Sequence, residues 1–309
     1  MKIFPIAYDS FGVRSMATLI FLRKNSIFID PGVALAPKRY GLPPTKEEIE
    51  AEKICRSKIM EVCKKCKYVV VTHYHYDHHP YPEDKEMYEN CFKDKIVFCK
   101  HNKENINFSG KKRGAIFENR IKELAKSYEF ADGKSFEFGK LKIEFSPAVW
   151  HGDVNSKVGT VIMVLVEYGK NKILFGSDAQ SFADPSAKNW VIEKNPNFLI
   201  VDGYPTLFVG WRLSQRNFEN AKKNLIEVIK KINAKTIIFD HHGVRDLNYK
   251  EKMKDVFAVS KNLNKKILTA AEFYNLDNFF LEAWRKEIKK GVKKVDVKNY
   301  FKKLYSFKI

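Results

Sequence analysis

The stretch Thr72-His73-Tyr74-His75-Tyr76-Asp77-His78 carries three histidines and one aspartate within six residues. It directly follows Tyr68-Val69-Val70-Val71, a short apolar run with branched residues that is typical of a strand buried on both faces. A loop leaving such a strand can turn two imidazoles towards one point. Imidazole and carboxylate are ligand types that suit zinc, iron or manganese. The stretch therefore predicts a metal site, and the alternative is a solvated, histidine-rich loop.

Further candidate ligands stand where three later predicted strands end. They are His151, Asp178, and either His241 or His242. A carboxylate at a strand end is often a turn former, but it is also well placed to bridge two cations. Ligands from four strand ends can converge at one rim of a layered fold, as functional sites on such folds tend to do.

The rest of the chain alternates strands and helices. A hairpin is predicted from Ala17 to Asp30, with its turn at residues 23–25. Thr45 followed by Glu48 is a capping-box signature and predicts a helix to about Lys65. Several strands are predicted after residue 136. Two further buried strands are predicted on either side of a helix expected at residues 215–231. Two similar halves of this kind indicate an α/β fold with two stacked sheets and helices outside.

One domain, residues 1–309, is predicted because no repeat or long low-complexity linker interrupts the chain. Residues 280–309 are helical in pattern and densely basic, with aromatic residues among the lysines. We expect a basic C-terminal helical extension that packs its aromatic side on the domain; a nucleic-acid or membrane arm is the alternative. A basic loop at 101–114 and a helix at 115–126 are expected earlier in the chain.

The formal net charge of +19 suggests an anionic partner, such as a phosphodiester or nucleic acid, because a basic surface concentrates phosphates. The alternative is a solvated surface, since the lysines are mixed with glutamates as in proteins of heat-loving organisms. The sequence has no run of 18 apolar residues, and residues 1–5 have no signal-peptide pattern. We therefore expect a soluble, cytoplasmic protein without membrane association; a homo-oligomer is possible.

The five cysteines favour reduced thiols over a disulfide framework, because their number is odd and the chain is large. Cys63 and Cys66 form a CxxC pair, but no second CxxC or paired histidine motif completes a zinc finger. We interpret these two as thiols at a helix end, with structural zinc or redox chemistry as the alternative.

In these motifs the sequence resembles the metallo-β-lactamase superfamily, from about Ile27 to Arg245. The signature HxHxDH and the later single-ligand motifs are matched by His73, His75, Asp77, His78, His151, Asp178 and His241. Asp30 matches an early aspartate that supports the metal site in the family without usually ligating it. The resemblance implies a four-layer αββα sandwich of two mixed β-sheets flanked by helices.

The resemblance also implies a ligand set for one or two divalent metal ions, zinc first, with iron or manganese as alternatives. One metal would be held by His73, His75 and His151, the other by Asp77, His78 and His241, and Asp178 would bridge them. His241 is preferred because it has the strand-then-histidine register of the family's transfer-RNA-processing nucleases. His242 remains open as the last ligand.

The implied chemistry is hydrolysis by a metal-held hydroxide, since bound metal lowers the pKa of water from about 15.7 to about 7. Asp77 is the candidate catalytic residue, because it can accept or relay a proton. The first hypothesis is a hydrolase of phosphodiester or nucleic-acid-type substrates. The alternatives are an ester, thioester or lactone hydrolase of a small metabolite and a mononuclear-iron redox enzyme. A β-lactam substrate is not expected, because antibiotic-cleaving members carry Cys where Asp178 stands.

Overall fold

The architecture was taken from a computed structural model, which describes residues 1–22 and 24–307. Over these residues the chain has a mixed α/β fold with two mixed β-sheets flanked by helices, which confirms the predicted fold class. Arg23, in the predicted hairpin turn, lies outside the described residues.

The chain forms two compact units. Unit 1 comprises residues 1–98 and 116–128 and the described residues from Thr269 onward, and unit 2 comprises residues 99–115 and 129–268. Each unit contributes its own set of candidate ligands and is described separately below.

The six-stranded sheet has its strands in sequential order. They are β1 Lys2–Tyr8, β2 Met16–Phe21, β3 Ile27–Ile29, β4 Tyr68–Val71, β5 Ile96–Cys99 and β6 Ser127–Phe130. Strands β2 and β3 are antiparallel, as the predicted hairpin requires. Strands β3 and β4 are parallel, so their carboxyl ends are neighbours at one edge of the sheet.

The seven-stranded sheet has the order β15-β14-β13-β12-β11-β8-β7. Its strands are β7 Ser135–Phe138, β8 Leu141–Phe145, β11 Val164–Tyr168, β12 Asn171–Phe175, β13 Phe198–Asp202, β14 Thr236–Asp240 and β15 Lys266–Leu268. Strands β12 to β15 are parallel neighbours, whereas β7, β8, β11 and β12 are antiparallel. The carboxyl ends of β12, β13 and β14 therefore meet at one edge. A separate pair joins β9 Val149–Trp150 to β10 Thr160–Val161.

Ten α-helices lie in the described part of the chain. They are α1 Lys46–Cys63, α2 Lys85–Phe92, α3 Phe108–Ile121, α4 Pro185–Lys194, α5 Gln215–Lys231, α6 Tyr249–Lys252, α7 Lys254–Asn262, α8 Ala270–Phe273, α9 Arg285–Lys289 and α10 Val297–Leu304. The predicted capping box is present: Thr45 accepts from the backbone of Glu48, whose side chain accepts from the backbone of Thr45. Helix α5 has its predicted bounds.

Two sequence predictions in the middle of the chain were wrong. Helix α3 begins at Phe108, inside the predicted basic loop, because Asn107 Oδ1 accepts a hydrogen bond from Gly110 N and so caps the first turn. The strand expected at residues 160–166 is divided between β10 and β11. The break is fixed at Met163, whose backbone N–H donates to Ser146 Oγ and whose carbonyl accepts from Ser146 N.

The predicted thiol state of the cysteines agrees with the structure. All five are free and buried. Burial raises the pKa of Cys66 to about 12, so this thiol stays protonated and unreactive at neutral pH. Among the described residues, no helix is both long and apolar enough to cross a lipid bilayer.

The end of the chain is tied into unit 1 by its aromatic side chains and by a buried ion pair. Tyr300 stacks on Phe279 with ring centroids 4.2 Å apart, and Phe301 is buried. The fully buried guanidinium of Arg285 lies 2.6 Å from a carboxylate oxygen of Glu48. Arg285 thus joins the C-terminal segment to the first turn of α1.

Replacing Arg285 with alanine is expected to destabilise the protein by about 3–5 kcal/mol, because it leaves the Glu48 carboxylate buried without its cation. Guanidinium-induced unfolding measures this difference. The control is Lys298→Ala, since the Lys298 ammonium is exposed and lies 4.0 Å from Glu50. That exposed pair should contribute less than about 1 kcal/mol. Equal stabilities of the two variants would contradict the anchoring role of Arg285.

Candidate functional site

In unit 1, the loop after β4 is organised by the buried carboxylate of Asp30, which follows β3. One oxygen of Asp30 accepts from Thr72 N at 2.7 Å. The other accepts from Thr72 Oγ1 at 2.7 Å and lies 2.7 Å from His78 Nδ1. Because β3 and β4 are parallel, the two loops leave the sheet side by side and can make these contacts.

These contacts assign the tautomers of two histidines. His78 donates Nδ1–H to Asp30, so its Nε2 carries the lone pair that a metal requires. Thr72 Oγ1 gives its proton to Asp30 and can accept one from His73 Nδ1, 3.3 Å away, which leaves His73 Nε2 as the ligand atom. One carboxylate thus orients two candidate ligands. Burial raises the pKa of Asp30, and the neighbouring His78 opposes that rise.

The spacing of the two nearest imidazoles in this loop fits a shared metal ion. His73 Nε2 and His75 Nδ1 are 3.1 Å apart. Two nitrogens bound to zinc at about 2.0–2.1 Å in tetrahedral geometry would be separated by about 3.3 Å. The donor atoms of Asp77 and His78 also lie within 4.8 Å of each other. The loop thus offers four donor residues in the positions that the sequence predicted.

Close approach of the backbone explains a glycine beside this loop. A Cβ atom on Gly32 would lie 2.3 Å from His79 N and 2.6 Å from His78 N. Only glycine lets the chain after β3 pass so close to the histidine-bearing loop.

In unit 2, a second cluster surrounds Asp178, which follows β12 and is fully buried. Its Oδ2 lies 3.1 Å from His151 Nε2 and 3.5 Å from His241 Nε2. His242 Nδ1 lies 3.9 Å from the same oxygen. The structure therefore brings the three candidates of unit 2 together, because parallel β12 and β14 end at the same sheet edge.

The turn that carries Asp178 is strained. Ser177, Gln180, Ser181 and Phe182 all have positive φ, between 43° and 59°. Such angles are costly for a bulky residue such as Phe182, and strain of this kind gathers at functional sites. The turn is held in place because Ser181 N donates to the carbonyl of Asp202 at 2.7 Å.

His241 and His242 differ in what surrounds their rings. His242 is held through Nδ1 by Asp202 at 2.9 Å, whereas His241 presents Nε2 to Asp178. Nη2 of Arg245 lies 3.4 Å from both ring nitrogens of His241. Burial lowers the pKa of His242 well below its usual range, and the charge of Arg245 lowers it further. Burial also raises the pKa of Asp202, as does the neighbouring Asp178 carboxylate.

The two ring nitrogens of His151 face Gln180 and Asp178. Its Nδ1 lies 3.2 Å from the side-chain amide of Gln180. Gly152 has φ +85°, and a Cβ there would lie 2.2 Å from that same amide, so this position requires glycine. Asp153, two residues after His151, accepts hydrogen bonds from Tyr204 Oη at 3.1 Å and from Asn217 Nδ2 at 2.9 Å.

Several supporting side chains were missed in the sequence. Asp202, Gln180 and Arg245 contact candidate histidines but belong to no recognised motif. A signal existed for Asp202, because it ends a buried strand that runs parallel to the strand before His241. For Gln180 and Arg245 no comparable signal was present.

Comparison with known sequences identified close relatives. The chain is 44% identical to a UPF0282 protein of Pyrococcus horikoshii over 298 residues, which cover 94% of this chain and 93% of the relative. It is 40% identical to a UPF0282 protein of Methanocaldococcus jannaschii, covering 94% of this chain and 97% of that protein. No protein-family model matches the sequence.

Solved structures with similar folds are much more distant in sequence. The metallo-β-lactamase fold protein YhfI from Bacillus subtilis aligns with TM-score 0.51 at 15% identity, over 86% of this chain and 90% of YhfI. Zn²⁺-bound PqqB from Methylobacterium extorquens aligns with TM-score 0.50 at 12% identity, over 85% of this chain and 86% of PqqB. CmlA, a diiron β-hydroxylase from Streptomyces venezuelae, aligns with TM-score 0.52 at 12% identity. The alignment covers 86% of this chain but only 52% of CmlA. These likenesses show the metallo-β-lactamase fold.

Proposed function

The chain belongs to the UPF0282 family and has the metallo-β-lactamase fold, and from this premise we propose that it is a metal-dependent hydrolase. The observation that carries the proposal is the environment of Asp178, a fully buried carboxylate 3.1 Å from one imidazole nitrogen and 3.5 Å from another. Buried polar clusters of this composition are costly unless they serve a bound ion or catalysis.

We assign the ligands as the family resemblance implies. His73, His75 and His151 would hold one ion, Asp77, His78 and His241 the other, with Asp178 between them. Orientation by outer carboxylates supports this assignment, because a ligating histidine usually donates its second ring N–H to such a partner. His78 has that partner in Asp30.

His241 is retained as the last ligand in preference to His242. The ring nitrogen that His242 turns towards Asp178 is the same Nδ1 that lies 2.9 Å from Asp202, so it is already engaged. His241 instead presents Nε2 to Asp178 and is fully buried. Comparing the metal content of His241→Ala with that of His242→Ala tests this choice.

When bound, a divalent ion supplies a nucleophile at neutral pH by lowering the pKa of water to about 7. The residues of the chain would orient the substrate and accept the proton that the attacking water releases. We propose Asp77 as the group that accepts or relays this proton, because it is half-buried and adjoins His78. Zinc is the first choice of metal, since a set of imidazoles and carboxylates suits it; iron and manganese are the alternatives.

The proposed substrate class is a phosphodiester, including nucleic acid. A net charge of +19 favours the approach of polyanions and speeds their association. Esters, thioesters and lactones are the competing substrates, because the same metal chemistry cleaves them. An assay panel containing a phosphodiester, a thioester and a lactone separates these possibilities.

Purified protein is expected to contain about one to two transition-metal ions per chain, and their removal by a chelator should abolish hydrolysis. Elemental analysis and the assay panel measure the two quantities on the same sample. Adding back zinc, manganese or ferrous iron separately should restore activity with the native metal. Turnover by protein shown to be free of metal would sink the hydrolase proposal.

A further inference from the structure

A short loop in unit 2 presents an aromatic side chain to solvent. It consists of Leu207 to Leu213, which we call the Trp211 loop. The Trp211 side chain is 64% exposed, which is unusual for so large an apolar group.

The Trp211 indole is fixed by three contacts. Its Nε1–H donates to the carbonyl of Leu207 at 3.3 Å. The ring of Phe208 packs against it at a centroid distance of 5.7 Å and an angle of 64°. The guanidinium of Arg212 covers one face of the indole at 4.3 Å from its centroid. These contacts orient the ring, and because Trp211 is 64% exposed it stays accessible to a ligand.

The root of the loop is also anchored. Thr206 Oγ1 donates to Asp246 at 2.7 Å, and Lys252 Nζ contacts the same carboxylate at 2.7 Å. Gly203, just before the loop, approaches Gly243 so closely that a Cβ would lie 2.5 Å from its Cα. The root of the loop therefore follows Asp202 and packs on residues 243–246, the segment directly after His241 and His242.

The charged residues within this segment of the chain are all positive. From Gly203 to Phe218 the chain contains two arginines, Arg212 and Arg216, and no carboxylate. Arg216 is exposed in the first turn of α5, whose amino-terminal end adds a partial positive charge. A ligand for this surface should combine a flat ring with negative charge.

We propose that the Trp211 loop is a stacking platform for an unpaired base of single-stranded nucleic acid. The base would lie on the exposed ring of Trp211, and Arg212 and Arg216 would contact the adjoining phosphates. Aromatic stacking combined with basic side chains is the general way in which proteins hold single strands without reading their sequence. This inference rests on the proposed phosphodiesterase function and narrows its substrate to single-stranded nucleic acid.

The test measures binding of a fluorescein-labelled, phosphorothioate-linked 12-mer of thymidylate to the full-length protein as purified, by fluorescence anisotropy. The linkage resists hydrolysis, so binding is separated from turnover. Trp211→Ala should weaken binding about 5- to 150-fold, the range for loss of one stacked base. Trp211→Phe should recover most of the affinity, since it restores an aromatic face. Because Trp211 is exposed, an unchanged melting temperature is expected for both variants.

The matched control is Tyr40→Ala. Tyr40 is also exposed, at 53%, and has a guanidinium over its ring, that of Arg39 at 4.8 Å, but it belongs to unit 1. Its replacement should leave binding within about twofold of the wild type. The platform is overturned by any of three results. They are wild-type affinity in Trp211→Ala, a loss of affinity in Tyr40→Ala equal to that in Trp211→Ala, and binding of a duplex of the same length as tightly as the single strand. A dimer that dissociates on Trp211→Ala, without oligonucleotide binding, also overturns it and assigns the surface to a second copy.

The two proposals fail in distinguishable ways. Oligonucleotide binding that depends on Trp211, without hydrolysis of any phosphodiester, contradicts the proposed function alone. Hydrolysis of bis(p-nitrophenyl) phosphate without oligonucleotide binding contradicts the platform alone.

Discussion

Replacing Asp178 with alanine is expected to reduce hydrolysis by at least about 100-fold, the upper end of what loss of an outer partner of a metal ligand costs. The variant should also lose metal. The reason lies in the geometry: Asp178 Oδ2 approaches both His151 Nε2 and His241 Nε2 in unit 2. The substitution removes this carboxylate from both buried imidazoles. Steady-state kinetics and elemental analysis of the same preparation measure both losses.

A control must separate loss of metal from loss of folding. Asp132 serves this purpose, because its carboxylate pairs with the buried Lys100 at 2.5 Å in the same unit and touches no candidate ligand in the contacts described. Asp132→Asn should lower the melting temperature while keeping the metal content of the wild type. An Asp178→Ala protein that retains both its metal and its turnover contradicts the proposed ligand role.

The second large effect is expected for Asp30→Asn. The Asp30 carboxylate takes part in three hydrogen bonds, to Thr72 N, Thr72 Oγ1 and His78 Nδ1. An asparagine keeps the shape but offers one oxygen, so at least one of these donors would face an NH₂ group. We expect metal affinity to fall about 10- to 100-fold and unfolding free energy to fall by about 1–3 kcal/mol.

The graded comparison for this effect is Thr72→Val. It removes the hydroxyl between Asp30 and His73 but leaves the contact between Asp30 and His78. Its loss of metal affinity should be smaller than that of Asp30→Asn. Metal titration of both variants measures the two losses of affinity. A larger loss in Thr72→Val than in Asp30→Asn would show that Asp30 does not act through His78.

The elements that the sequence predicted well are those with strong local signals. The capping box at Thr45 and the buried run at 68–71 are both present, because hydrogen bonding at a helix start and burial of a short strand depend on neighbouring residues. The start of α3 was missed because its cap is Asn107, in a segment whose lysines and glycines have no helical pattern. Strand β6 was missed although its four residues alternate polar and aromatic side chains, a pattern typical of a half-buried strand.

The candidate ligands were chosen from a local signal too. Histidine and aspartate stand out in the sequence, and Asp178 and His241 follow predicted strands, whereas His151 follows the short strand β9, which was not predicted. The ligand set and the catalytic role of Asp77 stay predictions that the proposed variants test.

The sequence alone determined the fold class, through its strand and helix pattern and its resemblance to the metallo-β-lactamase superfamily, and the state of the thiols, through the number of cysteines and the size of the chain. Only the tertiary structure decided which carboxylate orients which histidine. Asp30 reaches His78 and Asp202 reaches His242 because parallel strands bring their loops together. Residues 40 or more positions apart meet in these pairs. Such contacts depend on strand pairing and register, which no local pattern encodes.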